Sequence, residues 1–200
     1  MKTYTITRVN GTPDWSAIPT LSIDTVYKTG TTPVKAWAQI AYDDEQLFVR
    51  LHALEEHIRT EESGPLARTW EDSCLEFFFS PVEGDPRYVN VETTCNGSFL
   101  MGVGFSRYDL LRLIPWGDNA SFQTKPALLD GGWEVSYSLP YKFLQVVFPT
   151  FSPKSGDILR ANCYKCGDKT VTPHWMSWAP ITCEKLNFHT PEFFGTMVFE

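Results

Sequence analysis

One strand constrains this chain more than any other stretch. Residues 72–80, D-S-C-L-E-F-F-F-S, suit an extended conformation. Successive side chains on a strand point to opposite faces. One face therefore carries Ser73, Leu75, Phe77 and Phe79. The other carries Asp72, Cys74, Glu76, Phe78 and Ser80. Glu76 stands among apolar neighbours, on a face that is not simply solvent. An acid there must be paired, hydrogen-bonded or functional. It is either a satisfied structural carboxylate or a ligand-bonding one. Trp70 lies just ahead of it, in the loop that enters the strand.

The rest of the chain supplies partners for such a strand. Residues 36–42 and 47–54 form two strands joined by Asp43-Asp44-Glu45-Gln46. In the second, Leu47, Val49, Leu51 and Ala53 alternate with Phe48, Arg50 and His52, the pattern of a half-buried antiparallel strand. Residues 87–94 place Tyr88, Asn90, Glu92 and Thr94 on one face. They turn at Asn96-Gly97 into a return strand carrying Phe99, Met101, Val103 and Phe105. Residues 121–125 and 132–139 pair across Asp130-Gly131. Residues 158–166 and 192–199, and an entry strand around Tyr4, Ile6 and Val9, complete the set.

Helix is minor. Pro140 starts a short one over 141–147, and a helical turn over 108–113 stops at Pro115, ahead of a loop at Trp116-Gly117-Asp118-Asn119. Residues 21–35 are polar and rich in turn formers. Two long connections remain, 55–68, broken at Gly64-Pro65, and the aromatic 167–189. The pattern predicts an all-β fold: a two-sheet antiparallel β-sandwich, immunoglobulin-like or jelly-roll-like, with one or two short helices. Residues 1–200 form a single domain.

Composition narrows the function. A hydrophobic share of 42% with 14 Phe, 8 Tyr and 7 Trp suffices for one sizeable core. A net charge of −7 argues against nucleic acid and anionic membrane as partners. The N-terminal M-K-T-Y-T-I-T-R-V-N has no apolar h-region. Five irregularly spaced cysteines suit reduced thiols, so the expected location is cytoplasmic. Cys163-x-x-Cys166 lacks a second pair and reads as buried thiols that bind no metal. Asp43-Asp44-Glu45 and Glu61-Glu62 offer hard oxygen ligands, which leaves structural calcium open as the one cofactor. There is no G-x-S-x-G, no H-E-x-x-H and no phosphate loop. Glu76 and Glu92 are the one carboxylate pair that glycoside hydrolysis could use.

The motif W-E-D-S-C-L-E-F-F-F-S-P, residues 70–81, resembles the signature strand of the family 9 carbohydrate-binding modules. The similarity continues through A-Q-I-A-Y-D-D-E-Q-L-F-V at 38–49 and Tyr88, Asn90 and Glu92 with Asn96-Gly97. It runs on through W-E-V-S-Y-S-L-P-Y at 133–141, R-A-N-C-Y-K-C-G at 160–167, S-W-A-P at 177–180 and P-E-F-F-G-T-M-V-F at 191–199.

The resemblance implies a β-sandwich that binds sugar, often at a chain end, between two tryptophans. Ring faces meet the apolar C–H faces of a pyranose, and charged or amide groups bond its hydroxyls. Trp70 matches the first clamp and Glu76 the ligand-bonding acid, ionised near pH 7. Trp175 and Trp178 compete for the second clamp. The family's binding arginine is expected near residues 88–90. This chain has Val89 and Asn90 there, so Asn90 and the preceding Arg87 stand as helpers. The partner implied is a small carbohydrate, bound without catalysis and linked to the catabolism of xylan- or cellulose-type material. The alternatives are a glycoside-processing enzyme using Glu76 and Glu92, a haem-binding relative using Met101, His52 or His174, and a protein-interaction domain that has lost sugar binding. Oligomeric state is not legible.

Overall fold

Residues 2–30, 33–114 and 122–200 are described by a computed structural model. The expected turns at Thr31-Thr32 and at residues 115–119 lie outside the described residues, as does Ser121. The strands are β1 (Thr3–Arg8), β2 (Leu21–Ile23), β3 (Thr25–Lys28), β4 (Lys35–Tyr42), β5 (Gln46–Leu54), β6 (Cys74–Ser80) and β7 (Tyr88–Thr94). They continue with β8 (Phe99–Gly104), β9 (Leu111–Leu113), β10 (Lys125–Leu129), β11 (Gly132–Pro140), β12 (Ile158–Gly167), β13 (His174–Ser177) and β14 (Gly195–Phe199). Among the described residues no helix is long and apolar enough to cross a membrane.

The fold is all-β, but the sheet is mixed rather than a purely antiparallel pair. One hydrogen-bonded path runs β10-β11-β5-β4-β1-β14-β12-β6-β7-β8-β9, with β2 on β4, and with β13 joining β12 to β3. The departure lies in β1, which divides its length between two neighbours. Thr3 to Ile6 lie parallel to Thr196 to Phe199, and Thr7 and Arg8 then lie parallel to Ala41 and Tyr42. A strand that passes from one partner to another joins what would otherwise be two sheets. The path curls so that both arms bury side chains in one core. Ile40, Val49, Leu51 and Val135 come from one arm, and Leu75, Phe77, Phe79, Val91 and Leu159 from the other.

β6 lies between β12 and β7 and is buried on both faces. Leu75, Phe77 and Phe79 enter the main core. Phe78 joins a smaller cluster on the opposite face with Tyr88, Tyr164 and Phe194. A central strand has no solvent side, which explains its near-continuous apolar run. The Asn96-Gly97 turn forms as its sequence demands, with Gly97 at φ +82° and the Asn96 side chain accepting from Ser98 N–H at 2.9 Å.

Several elements differ from expectation. Residues 21–35 contain β2 and β3, each too short to show a period, although Leu21 and Ile23 are buried. The helical turn over 108–113 is instead a side-chain-capped turn followed by β9. Asp109 accepts from Phe105 N–H and Ser106 N–H at 3.0 and 2.7 Å, which satisfies the backbone without a helix. The partner of β11 is Lys125–Leu129 rather than 121–125, because the tight turn at Asp130-Gly131 sets the register. The helix after Pro140 is a single turn, Tyr141–Leu144. The aromatic loop 167–189 contains β13.

Candidate functional site

A cleft of about 420 Å³ opens on the outer face of the β12-β6-β7-β8-β9 arm, the face opposite the main core. Register places its floor. Glu76 on β6 lies directly opposite Glu92 on β7, and Tyr164 on β12 lies opposite Glu76 on the other side. Cys166 stands opposite Cys74 and, across β13, opposite Trp175. The rim is built from loops. A turn at Thr69–Glu71 carries Trp70. It is held to the loop after β12 by two backbone bonds, Asp168 N–H to Trp70 O and Lys169 N–H to Glu71 O, both 3.0 Å. Trp175 is anchored by Nε1 to Asp168 Oδ1 at 2.6 Å, with Lys28 Nζ 4.4 Å from its ring. Trp70 and Trp175 are both half-buried and line the same cleft.

Opposite them lies the segment from Leu186 to His189. Phe188 stacks on Tyr164 with centroids 4.3 Å apart, and its carbonyl accepts from Tyr164 Oη at 3.0 Å. His189 Nδ1 meets Tyr88 Oη at 2.7 Å. Burial, with Arg107 and Arg112 nearby, pushes His189 down to about 3, so its ring is neutral at pH 7. Arg107 and Arg112 also line the cleft.

The acids on the floor are unusual. Glu76 is 3% exposed, and among the described residues its one hydrogen bond comes from Cys166 Sγ at 2.9 Å. Burial pushes Glu76 well above its ordinary range, and Cys166 and Glu92 add to the shift. The sequence expectation of an ordinary ionised carboxylate therefore meets an opposing pull: burial and two acidic neighbours favour the protonated form of Glu76. Glu92 is also raised, by burial, against the opposing pull of Thr69 and Arg112. It accepts from Thr69 Oγ1 at 2.7 Å and from Asn90 Nδ2 at 2.8 Å. Two polar atoms on this side are buried without a hydrogen-bond partner among the described residues, Oδ1 of Asn90 and Nη1 of Arg112. They converge over Gly102, where a Cβ would meet the first at 2.5 Å and the second at 3.2 Å. Only glycine leaves them that space.

The structure thus brings together Trp70, Glu76 and Trp175, and places Asn90 directly behind Glu92. It does not bring in Trp178 or Arg87. Trp178 is 4% exposed and packs in the main core, its ring against Gly195. Arg87 turns away to Asp85, with Nη2 to Oδ2 at 2.5 Å, and lies over Phe148. The sequence reading missed Arg107, Arg112, Asp168, Tyr108 and His189. Two arginines flanking Tyr108 just after a return strand were the available signal.

Other candidates resolve differently. Met101, His52 and His174 are dispersed. Met101 is core, His52 stacks on Trp37 at 3.9 Å, and His174 is buried beside Lys165. Cys163 and Cys166, three apart on a strand, face opposite sides, Cys163 into the core. All five cysteines are free thiols. Four of the five acids proposed for calcium are engaged: Asp43 accepts two backbone N–H groups, Asp44 pairs with Arg8, Glu61 with Arg59 and Glu62 with Arg68. Among the described residues, one set of three metal-ligating side chains converges: Cys74, Glu76 and Cys166.

Comparison with known proteins bears on the family and the fold. The family described as Carbohydrate-binding family 9 matches residues 15–199. No curated protein matches the chain. Among solved structures, a candidate carbohydrate-binding protein from Bacteroides uniformis is 29% identical, with a TM-score of 0.83 over 100% of this chain and 99% of that one. A family 9 module from Caldicellulosiruptor kristjanssonii in complex with cellotriose is 14% identical, with a TM-score of 0.70 over 100% and 94%. The same kind of module in complex with glucose is 15% identical, also at 0.70, over 100% and 96%.

Proposed function

Because the chain belongs to carbohydrate-binding family 9, we propose that the cleft between Trp70 and Trp175 binds a small oligosaccharide or a sugar chain end without cleaving it. One observation carries this reading. Two half-exposed tryptophans, delivered by separate segments, line one cleft together with buried acids and two arginines. That combination matches a pyranose, whose faces are apolar and whose rim is hydroxyl. Burial favours the protonated form of Glu76, and in that form the carboxyl can donate as well as accept a hydrogen bond. Arg107 and Arg112 line the cleft as donors, and Asn90 steadies Glu92 from behind. Arg112 and Arg107 therefore take the role first assigned to Arg87.

The carboxylates favour binding over hydrolysis. A glycosidase sets its two acids across the scissile bond. Glu76 and Glu92 instead stand side by side on neighbouring strands of one wall. Binding of this kind is weak, because each hydroxyl gives up water and the net gain is about 1 kcal/mol per bond. The expected affinity is ~10 µM to 1 mM, roughly 4–7 kcal/mol. Calorimetric titration with glucose, cellobiose, cellotriose and xylo-oligosaccharides tests it. Saturable heat that disappears in Trp70→Ala supports the reading. No heat with any sugar, at protein concentrations matched to that affinity, refutes it.

A further inference from the structure

We propose that Cys74, Cys166 and Glu76 form a binding site for a zinc-like divalent ion on the floor of the cleft. The two cysteine sulfurs and a Glu76 carboxylate oxygen all lie within 4.8 Å of one another, and all three residues are buried. Ligand atoms around one tetrahedral zinc sit about 3.5–4 Å apart, given bonds of about 2.0–2.3 Å. Small side-chain rotations therefore suffice to admit an ion.

The backbone holds this set in place. Cys74 and Cys166 are directly opposed on the paired strands β6 and β12. Glu76 is two residues further along the same face and reaches back to Cys166 Sγ at 2.9 Å. A site on paired central strands is more rigid than one on loops. The donor set selects the metal. Two thiolates with one carboxylate suit zinc, cobalt or cadmium, whereas calcium and magnesium take oxygen ligands. The spacing of Cys163 and Cys166 conceals the site, since the true partner of Cys166 is on another strand.

The site is also accessible. Cys166 and Glu76 line the cleft, while Cys74 lies behind them. Three protein ligands leave a fourth position, which opens to the cleft and takes water or an oxygen of a cleft ligand. Metal binding here does not depend on sugar binding, and the test uses no sugar.

The test uses cobalt(II) as a spectroscopic probe on chelator-treated, fully reduced protein. The expected result is a thiolate-to-cobalt charge-transfer band and tetrahedral visible bands that saturate at one equivalent and vanish on adding zinc. Cys166→Ser and Cys74→Ala each lose the band, while Cys95→Ser and Cys183→Ser keep it. Circular dichroism checks that each variant folds. If Cys74→Ala does not fold, Cys166→Ser and the wild type decide the matter. Three results would overturn the proposal: no band in folded, reduced wild type, a band unchanged in Cys166→Ser, or a band that depends on Cys183.

Discussion

Glu55 and Glu76 are both buried carboxylates, 4% and 3% exposed, on opposite sides of the β12-β6 sheet. Their surroundings differ completely. Glu55 Oε1 accepts from Trp133 Nε1 at 2.5 Å and pairs with Lys165 Nζ at 3.1 Å, and Oε2 accepts from Ser73 Oγ at 3.1 Å. Lys165, wholly buried, also donates to Cys166 O at 3.0 Å and to His174 Nε2 at 2.8 Å. His174 donates from Nδ1 to Thr172 O at 2.8 Å. Burial and Lys165 hold it down at about 4, so it stays neutral. That network ties the loops after β5 and β12 to the core and leaves little capacity for a ligand. Glu76 has a thiol, an opposing acid and an open cleft. A buried acid saturated by its own chain is structural, and one left short of partners marks a site.

Mutations can break or sharpen that contrast. The largest effect belongs to Glu55→Ala, which strands Lys165 in the core. It should cost ~3–5 kcal/mol in urea denaturation. A loss below about 1 kcal/mol would remove Glu55 from the structural class. Trp178→Ala should cost a similar amount, ~3–5 kcal/mol, because its ring is core. Trp70→Ala should behave oppositely. It should weaken sugar binding by about 2 kcal/mol or more, as a central aromatic contact does, with only a minor change in melting temperature.

Glu76→Gln probes the proton. The folded protein keeps the Glu76 proton above the ordinary value of 4.5, where the unfolded chain has lost it. The folded state then binds more protons, so stability is full below about 4.5 and falls as pH rises toward the raised value. The slope is about 1.4 kcal/mol per pH unit at most for one proton. Glu76→Gln should flatten it, as measured by denaturation across pH. An equal slope in the variant would place the proton on Glu92 instead. The smallest effect is that of Arg87→Ala, which should leave sugar affinity unchanged within about 0.5 kcal/mol in calorimetry.

These outcomes follow the line between what the sequence revealed and what it hid. The strand carrying Glu76 was legible, because two rows of apolar residues with one acid have few other solutions. Trp70 was placed in the cleft-forming loop by its position ahead of that strand. The second tryptophan was undecided only because β13 was hidden in a long loop. Once His174–Ser177 is a strand, Trp175 and Trp178, three apart, fall on opposite faces. Arg107 and Arg112 were missed for a related reason. A turn held by Asp109 mimics a helix start in sequence, and its strand, β9, has three residues. The parallel pairings of β1 leave no local signature, since residues near position 3 and position 196 carry no mark of one another. The raised Glu76 was illegible because it depends on burial and on Cys166 and Glu92, all set by register.

The position of β1 also bears on how the chain is made. A ribosome releases Thr3 long before Thr196, yet the two lie side by side, and Glu200 N–H bonds back to Ile6 O at 3.0 Å. Until β14 has emerged, the nascent chain carries two raw edges, one on β1 and one on β12, each a template for a stray strand. Closure by so distant a pairing is intrinsically slow. A β14 from a neighbouring polysome product fits the same gap, so crowded synthesis would favour strand-swapped pairs, and dilution or slower translation would favour a sheet closed within one chain.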